Sequence, residues 1–69
     1  MKTLDVVALV NDFPKEGLQR GQVGTIVETL SPAVFLVEFA DMHGEAYAFL
    51  TVTEADLLVL HHQPALKVA

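Results

Sequence analysis

Short apolar runs alternate with clusters of turn-forming residues along the chain, in the two-residue period of strands rather than the 3.6-residue period of helices. Leu4 to Val10 is a β-branched apolar run closed by Asn11-Asp12, and it predicts a first strand. Residues 11–22 mix Pro14, Gly17 and Gly21 with charges and predict a long loop, with Phe13 and Leu18 as apolar pins. Val23 to Leu30 predicts a second strand, in which Gly24 marks a bulge, a bend or a close backbone approach. Ser31-Pro32-Ala33 is a tight connection to a third strand, Val34 to Ala40. Alternation puts Phe35, Val37 and Phe39 on one face and Val34, Leu36 and Glu38 on the other, so the first set is the core set. Asp41-Met42-His43-Gly44 predicts a hairpin loop with Gly44 at positive φ. Glu45 to Val52 predicts a fourth strand that is apolar on both faces: Ala46, Ala48, Leu50 and Val52 against Tyr47 and Phe49. Thr53-Glu54-Ala55-Asp56 predicts one helical turn, capped by Thr53, with acids where the helix dipole favours them. Leu57 to Leu60 predicts a fifth strand.

Five short strands and no real helix predict an all-β fold. The long first loop and the helical turn before the last strand point to a small five-stranded SH3-like barrel. The alternative is an open five-stranded sheet that dimerises over an exposed face. One domain is expected over residues 1–62, followed by a tail at 63–69 that contains Pro64. Gly21, Gly24 and Gly44 are the glycines given a structural role.

Composition sharpens this picture. At 69 residues the chain allows one small core, yet 52% of it is hydrophobic and only 19% charged, so it can collapse rather than stay unfolded. There is no cysteine, hence no disulfide and no thiolate metal site. No apolar run approaches the roughly 20 residues of a membrane span. The opening Met1-Lys2-Thr3-Leu4-Asp5 lacks the apolar core of a signal peptide, which implies a cytoplasmic protein. The net charge is −5, and no lysine or arginine occurs between Gly21 and Leu66, where Glu28, Glu38, Asp41, Glu45, Glu54 and Asp56 all fall. Nucleic-acid binding draws its affinity from neutralised phosphates, and that basic footprint is missing. Acidity of this kind serves solubility or meets a basic partner.

Catalytic chemistry finds little to work with. Asp41, His43 and Glu45 are close in sequence and have metal-ligand chemistry, but a solvated hairpin tip accounts for the same composition. His61 and His62 are adjacent, so an extended chain sends them to opposite faces. Ser31 precedes Pro32 in a turn and has no histidine nearby in sequence. Gly21-Gln22-Val23-Gly24 opens a strand with no helix after it and is not a phosphate loop. A body this small also has little room for a pocket of the usual roughly 300–1,000 Å³. The expectation is a non-enzyme with no cofactor and no metal.

Two resemblances appear on these residues. Leu4-Asp5-Val6-Val7-Ala8-Leu9, Gly17-Leu18-Gln19-Arg20-Gly21-Gln22-Val23-Gly24-Thr25-Ile26-Val27-Glu28, Val37-Glu38-Phe39 and Leu57-Leu58-Val59-Leu60 resemble a family of small bacterial proteins catalogued as domain of unknown function 4926. That resemblance covers residues 4–60 and implies no established activity. Small proteins of such families often partner a neighbouring gene product, including toxin–antitoxin and toxin–immunity pairs. Arg20-Gly21, Gly24-Thr25-Ile26-Val27, Val37-Glu38-Phe39 and His43-Gly44-Glu45 are similar to the SH3-like C-terminal domain of the nitrile hydratase β subunit. There the His-Gly-Glu-like piece precedes the Val-Arg-Phe-like strand, whereas here it follows. That resemblance implies an accessory domain that lends structure to an enzyme and holds no metal of its own.

The remaining signal is the apolar excess. One interior cannot take both faces of strands three and four, so Val34, Leu36, Tyr47 and Phe49, with Met42 in the hairpin, form the expected partner interface. The function expected is a protein-binding module, an antitoxin or immunity-type partner of another, possibly basic protein encoded nearby, or one that self-associates. The alternative is the accessory domain of an enzyme complex; a third reading, a nucleic-acid-associated SH3-like module, has the missing basic footprint against it.

Overall fold

The computed structural model describes residues 1–61; the expected tail at 63–69 and His62 lie outside the described residues. The order of elements is β1 (Val6–Leu9), a 3-10 turn η1 (Pro14–Glu16), β2 (Val23–Ser31), β3 (Val34–Ala40), β4 (Ala46–Thr53), a 3-10 turn η2 (Glu54–Asp56) and β5 (Leu57–Val59). All five strands lie in one antiparallel sheet in the order β4-β3-β2-β1-β5. The fold is all-β, as the alternation predicts. Inside the expected loop the sequence reading misses η1, which Pro14 starts at the position where its absent N–H costs nothing. Gly17 ends that turn at φ 72.

The alternation also assigns the core correctly. Phe35, Val37 and Phe39 are fully buried, together with Val7, Leu9 and Ile26, and Leu50, Val52 and Leu57 join them. Leu18 is buried and Phe13 packs against the core, so both act as pins. Their main chains exchange two hydrogen bonds, Phe13 N–H to Leu18 C=O at 2.8 Å and the reverse at 3.1 Å, which close the loop over the core.

Connectivity forces the sheet to curl. In a flat sheet of five strands the outer two stand about 19 Å apart, at roughly 4.8 Å per spacing. Here β4 reaches β5 through three residues, a span of at most about 14 Å from Thr53 to Leu57. Bulges supply the bend. The β2–β3 register slips at Val27 and at Leu30, and the β3–β4 register slips at Tyr47. The turn η2 then ties the curled ends together: Glu54 N–H donates to Ala33 C=O at 2.8 Å, and Val10 N–H donates to Asp56 C=O at 3.0 Å. Asn11 Nδ2 adds a bond to Asp56 Oδ1 at 2.9 Å. No ladder joins β4 to β5 among the described residues, so both remain edges.

Two local expectations change, and the alternatives at Gly24 resolve to one. The first strand begins at Val6, because Leu4 has φ 79 and sits in a turn. Gly24 is not at a bulge; it marks the close approach of β3. Thr53 makes no side-chain cap on η2, and its hydroxyl donates instead to the Asp56 carboxylate at 3.2 Å. Gly21 and Gly44 have φ 95 and 83, the left-handed conformation that their turns require.

Candidate functional site

The outward side of β5, β1 and the start of β2 is an uncharged apolar surface. In register, Leu58 stands beside Ala8, and Ala8 beside Val23. One row along, Thr25 stands beside Val6, whose carbonyl accepts the N–H of Leu60 at 2.9 Å. The inward neighbours Val7 and Leu9 are buried, so alternation turns Val6, Ala8 and Val10 outward. Leu58, Val23 and Val6 are exposed by 55%, 48% and 40%, values that describe large apolar side chains standing in solvent. Thr25 is the one polar residue on these rows within β5, β1 and β2, and Glu38 of β3 stands beside it and bounds the uncharged surface.

Leu4, in the turn before β1, is exposed and strained. Its φ of 79 is unusual for a branched side chain, and it is 75% exposed, so burial does not compensate. The surrounding bonds impose it. Asp5 N–H donates to Lys2 C=O at 3.0 Å, closing the turn, and Leu4 N–H donates to Ile26 C=O at 2.7 Å. The Asp5 carboxylate accepts Lys2 N–H at 2.9 Å and Lys2 Nζ at 3.1 Å. The main-chain bond first, and then the side-chain bond, hold the Asp5 carboxyl below the usual carboxylate range.

The expected interface on β3 and β4 is more broken. Val34 and Leu36 are only half-exposed, and their cross-strand neighbours on β4 are Thr53 and Thr51. Leu36 has Glu28 on its other side, and Phe49 stands opposite Glu38. Phe49 is 57% exposed and Met42, in the hairpin loop, 92%. Tyr47 occupies the bulge, and its hydroxyl accepts Gln22 Nε2 at 3.0 Å. Polar side chains thus interleave with these residues, whereas over β5, β1 and the start of β2 the apolar set Val6, Val23 and Leu58 is grouped around Ala8. Sequence reasoning missed the second surface although its signal was available. Leu57 to Leu60 is continuously apolar, so one alternate pair must face out, and Val6, Ala8 and Val10 oppose core residues.

The titratable cluster at the hairpin has a structural use. Asp41 Oδ1 accepts the main-chain N–H groups of His43 and Glu45 at 2.8 and 3.0 Å, and Asp41 N–H donates to Glu45 C=O at 2.9 Å. The carboxylate is thereby committed to shaping the turn. Among the described residues no three His, Asp or Glu side chains gather as metal ligands would. An open depression of about 340 Å³ lies on the loop, lined by Asp12, Pro14, Gly17, Leu18 and Gln19. Its one charged group, Asp12, already accepts the Arg20 N–H at 2.8 Å.

A family model described as Domain of unknown function (DUF4926) matches residues 3–59. The chain belongs to that family. The match takes in all five strands of this DUF4926 domain, and so every residue of the apolar surface except Leu60. No curated protein and no solved structure matches it. None of its helices among the described residues is long and apolar enough to cross a membrane.

Proposed function

We propose that this DUF4926 domain is a non-catalytic protein-binding module of the cytoplasm, folded as an SH3-like barrel, and an antitoxin or immunity-type partner of a neighbouring gene product. The observation that carries the reading is the uncharged outward face of β5, β1 and the start of β2, where Val6, Val23 and Leu58 surround Ala8. A contiguous exposed apolar surface on a small acidic protein is the usual mark of a docking site. The short turn η2 before β5, and the curl that it imposes, support the barrel. The acids outside this face suit a basic partner that is steered in by charge and held by apolar contact.

A second reading, the accessory domain of an enzyme complex, draws on the same face, because permanent interfaces are more apolar than transient ones. The two separate in one experiment. Co-expression with the neighbouring gene product and affinity capture is expected to yield a stable complex. Leu58→Lys should keep the wild-type melting temperature and lose the complex. A wild-type protein that stays alone and monomeric at high concentration sinks the module, and so does an L58K variant that keeps its partner. A captured enzyme subunit whose activity depends on this domain establishes the second reading instead.

A further inference from the structure

From the free edge of β4 we infer a second recognition site, one that takes up an extended strand of another protein whose centre is uncharged and whose ends carry Lys or Arg. Strand β4 is the end of the sheet, hydrogen-bonded on one side to β3. Among the described residues no strand pairs with its other side. Such an edge presents a row of unused N–H and C=O groups, the template for strand addition. Its sequence, Ala46-Tyr47-Ala48-Phe49-Leu50-Thr51-Val52-Thr53, has no charge, no proline and no glycine, and it is rich in aromatic and β-branched residues. It is among the least protected strand compositions an edge can have.

Charge selects the occupant. Glu45 directly precedes the strand and Glu54 directly follows it. In an antiparallel pairing of two copies about the middle of β4, the Glu45 end of each strand lies against the Glu54 end of the other. Like charges directly opposite destabilise a pair, so the flanking acids oppose self-association. Asp41 and Asp56 deepen the same field, and the chain has no lysine or arginine from Gly21 to His61 to relieve it. The same two glutamates attract a strand with cationic ends, which would place a charge opposite each of them. Eight residues separate the two glutamates and the bulge at Tyr47 takes up one of them, so an uncharged segment of about six or seven residues between doubled basic ends spans the distance. This site is separate from the face over β5, β1 and β2.

Amide hydrogen exchange on the full-length protein tests the inference, with the peptides Arg-Lys-Thr-Val-Thr-Val-Thr-Val-Lys-Arg and Glu-Glu-Thr-Val-Thr-Val-Thr-Val-Glu-Glu as probes. The basic-ended peptide should slow exchange about tenfold at every second residue of β4, with the effect weakening as salt rises. The acid-ended peptide should do nothing. The exposed double variant Glu45→Lys/Glu54→Lys should reverse the preference without altering the melting temperature. No protection at β4, equal protection by both peptides, or an unchanged preference in the double variant overturns the site. So does a β4 edge that is already protected in the free protein, whether by residues 62–69 or, as a rise with protein concentration would show, by a second copy. Leu58→Lys should leave peptide protection intact, which keeps this outcome distinct from that of the apolar face.

Discussion

The α-carbon of Gly24 lies against the main-chain carbonyl of Glu38: a β-carbon there would stand 2.7 Å from that oxygen and 2.7 Å from Val37 Cγ1. Phe39 Cδ1, at 2.9 Å, closes the third side. The neighbouring pair Thr25–Glu38 holds the two strands together, so neither backbone can retreat without breaking its ladder. Gly24→Ala should therefore cost about 1–3 kcal/mol, the range for overpacking a filled interior. For a domain of this size that lowers the melting temperature by roughly 4–8 °C per kcal/mol. Gly24→Val should cost more, and an unchanged thermal midpoint would remove the close approach as the reason for glycine.

Leu18 and Phe49 reverse the expectation that loops are expendable and strands are core. Leu18 is a loop residue at 2% exposure, and Phe49 a strand residue at 57%. Leu18→Ala should cost about 2–5 kcal/mol in urea unfolding, the cost of truncating a buried leucine. Phe49→Ser should stay within about 0.5 kcal/mol of wild type, as exposed substitutions do. A loss at Phe49 comparable to that at Leu18 would place the aromatic ring in the core.

Leu4 gains nothing from burial at the place where its backbone is strained. A left-handed residue with a branched side chain carries about 1–2 kcal/mol of steric cost, and asparagine tolerates the conformation better. Leu4→Asn should raise the urea midpoint with no change in the slope. A lower midpoint would mean that the Leu4 side chain makes contacts that outweigh the strain.

Asp5 makes that turn sensitive to acid. Its carboxyl is held below the usual value by the Lys2 main-chain and side-chain bonds, so the charged form is the bound form. A depressed folded-state value means that the contribution is complete above the unfolded carboxylate value, near 3.9, and is lost as pH falls through the folded one. Carboxyl-detected NMR titration should find the Asp5 midpoint below 3.8, the ordinary value for this group. The Leu4 amide, bonded to Ile26 C=O, should exchange faster below that midpoint. Asp5→Asn should abolish the pH dependence of that exchange.

Much of this architecture is legible in the residue pattern, for a physical reason. Where one strand face is buried and the other is wet, as at Phe35-Leu36-Val37-Glu38, the period of two assigns both faces. At β1 and β5 both faces are apolar, so the pattern says that one set must face out but not which; register and burial select Val6, Leu58 and Val23. The bulges at Val27, Leu30 and Tyr47 carry no proline or glycine, and no local signal announces them. The composition around Leu4 suits a strand; its left-handed backbone goes with the Lys2–Asp5 turn bonds and its own bond to Ile26, which pattern alone does not encode.

The shortest strand has a kinetic consequence. Strands β2, β3 and β4 follow one another through tight turns, so their ladders form between near neighbours. By contrast Leu9 meets Leu57 only after the whole intervening chain has been gathered in. Closing a loop of that length costs about 3 kcal/mol of chain entropy beyond a short-loop constant. The three ladder residues, the bonds of η2 and the burial of Leu57 offset it. The expected order is therefore a meander that assembles first and a clasp that shuts last, with φ-values near zero at Leu57 and higher at Val37. Reopening should follow the same path in reverse: β5 lifts from β1 while the rest of the sheet stays folded.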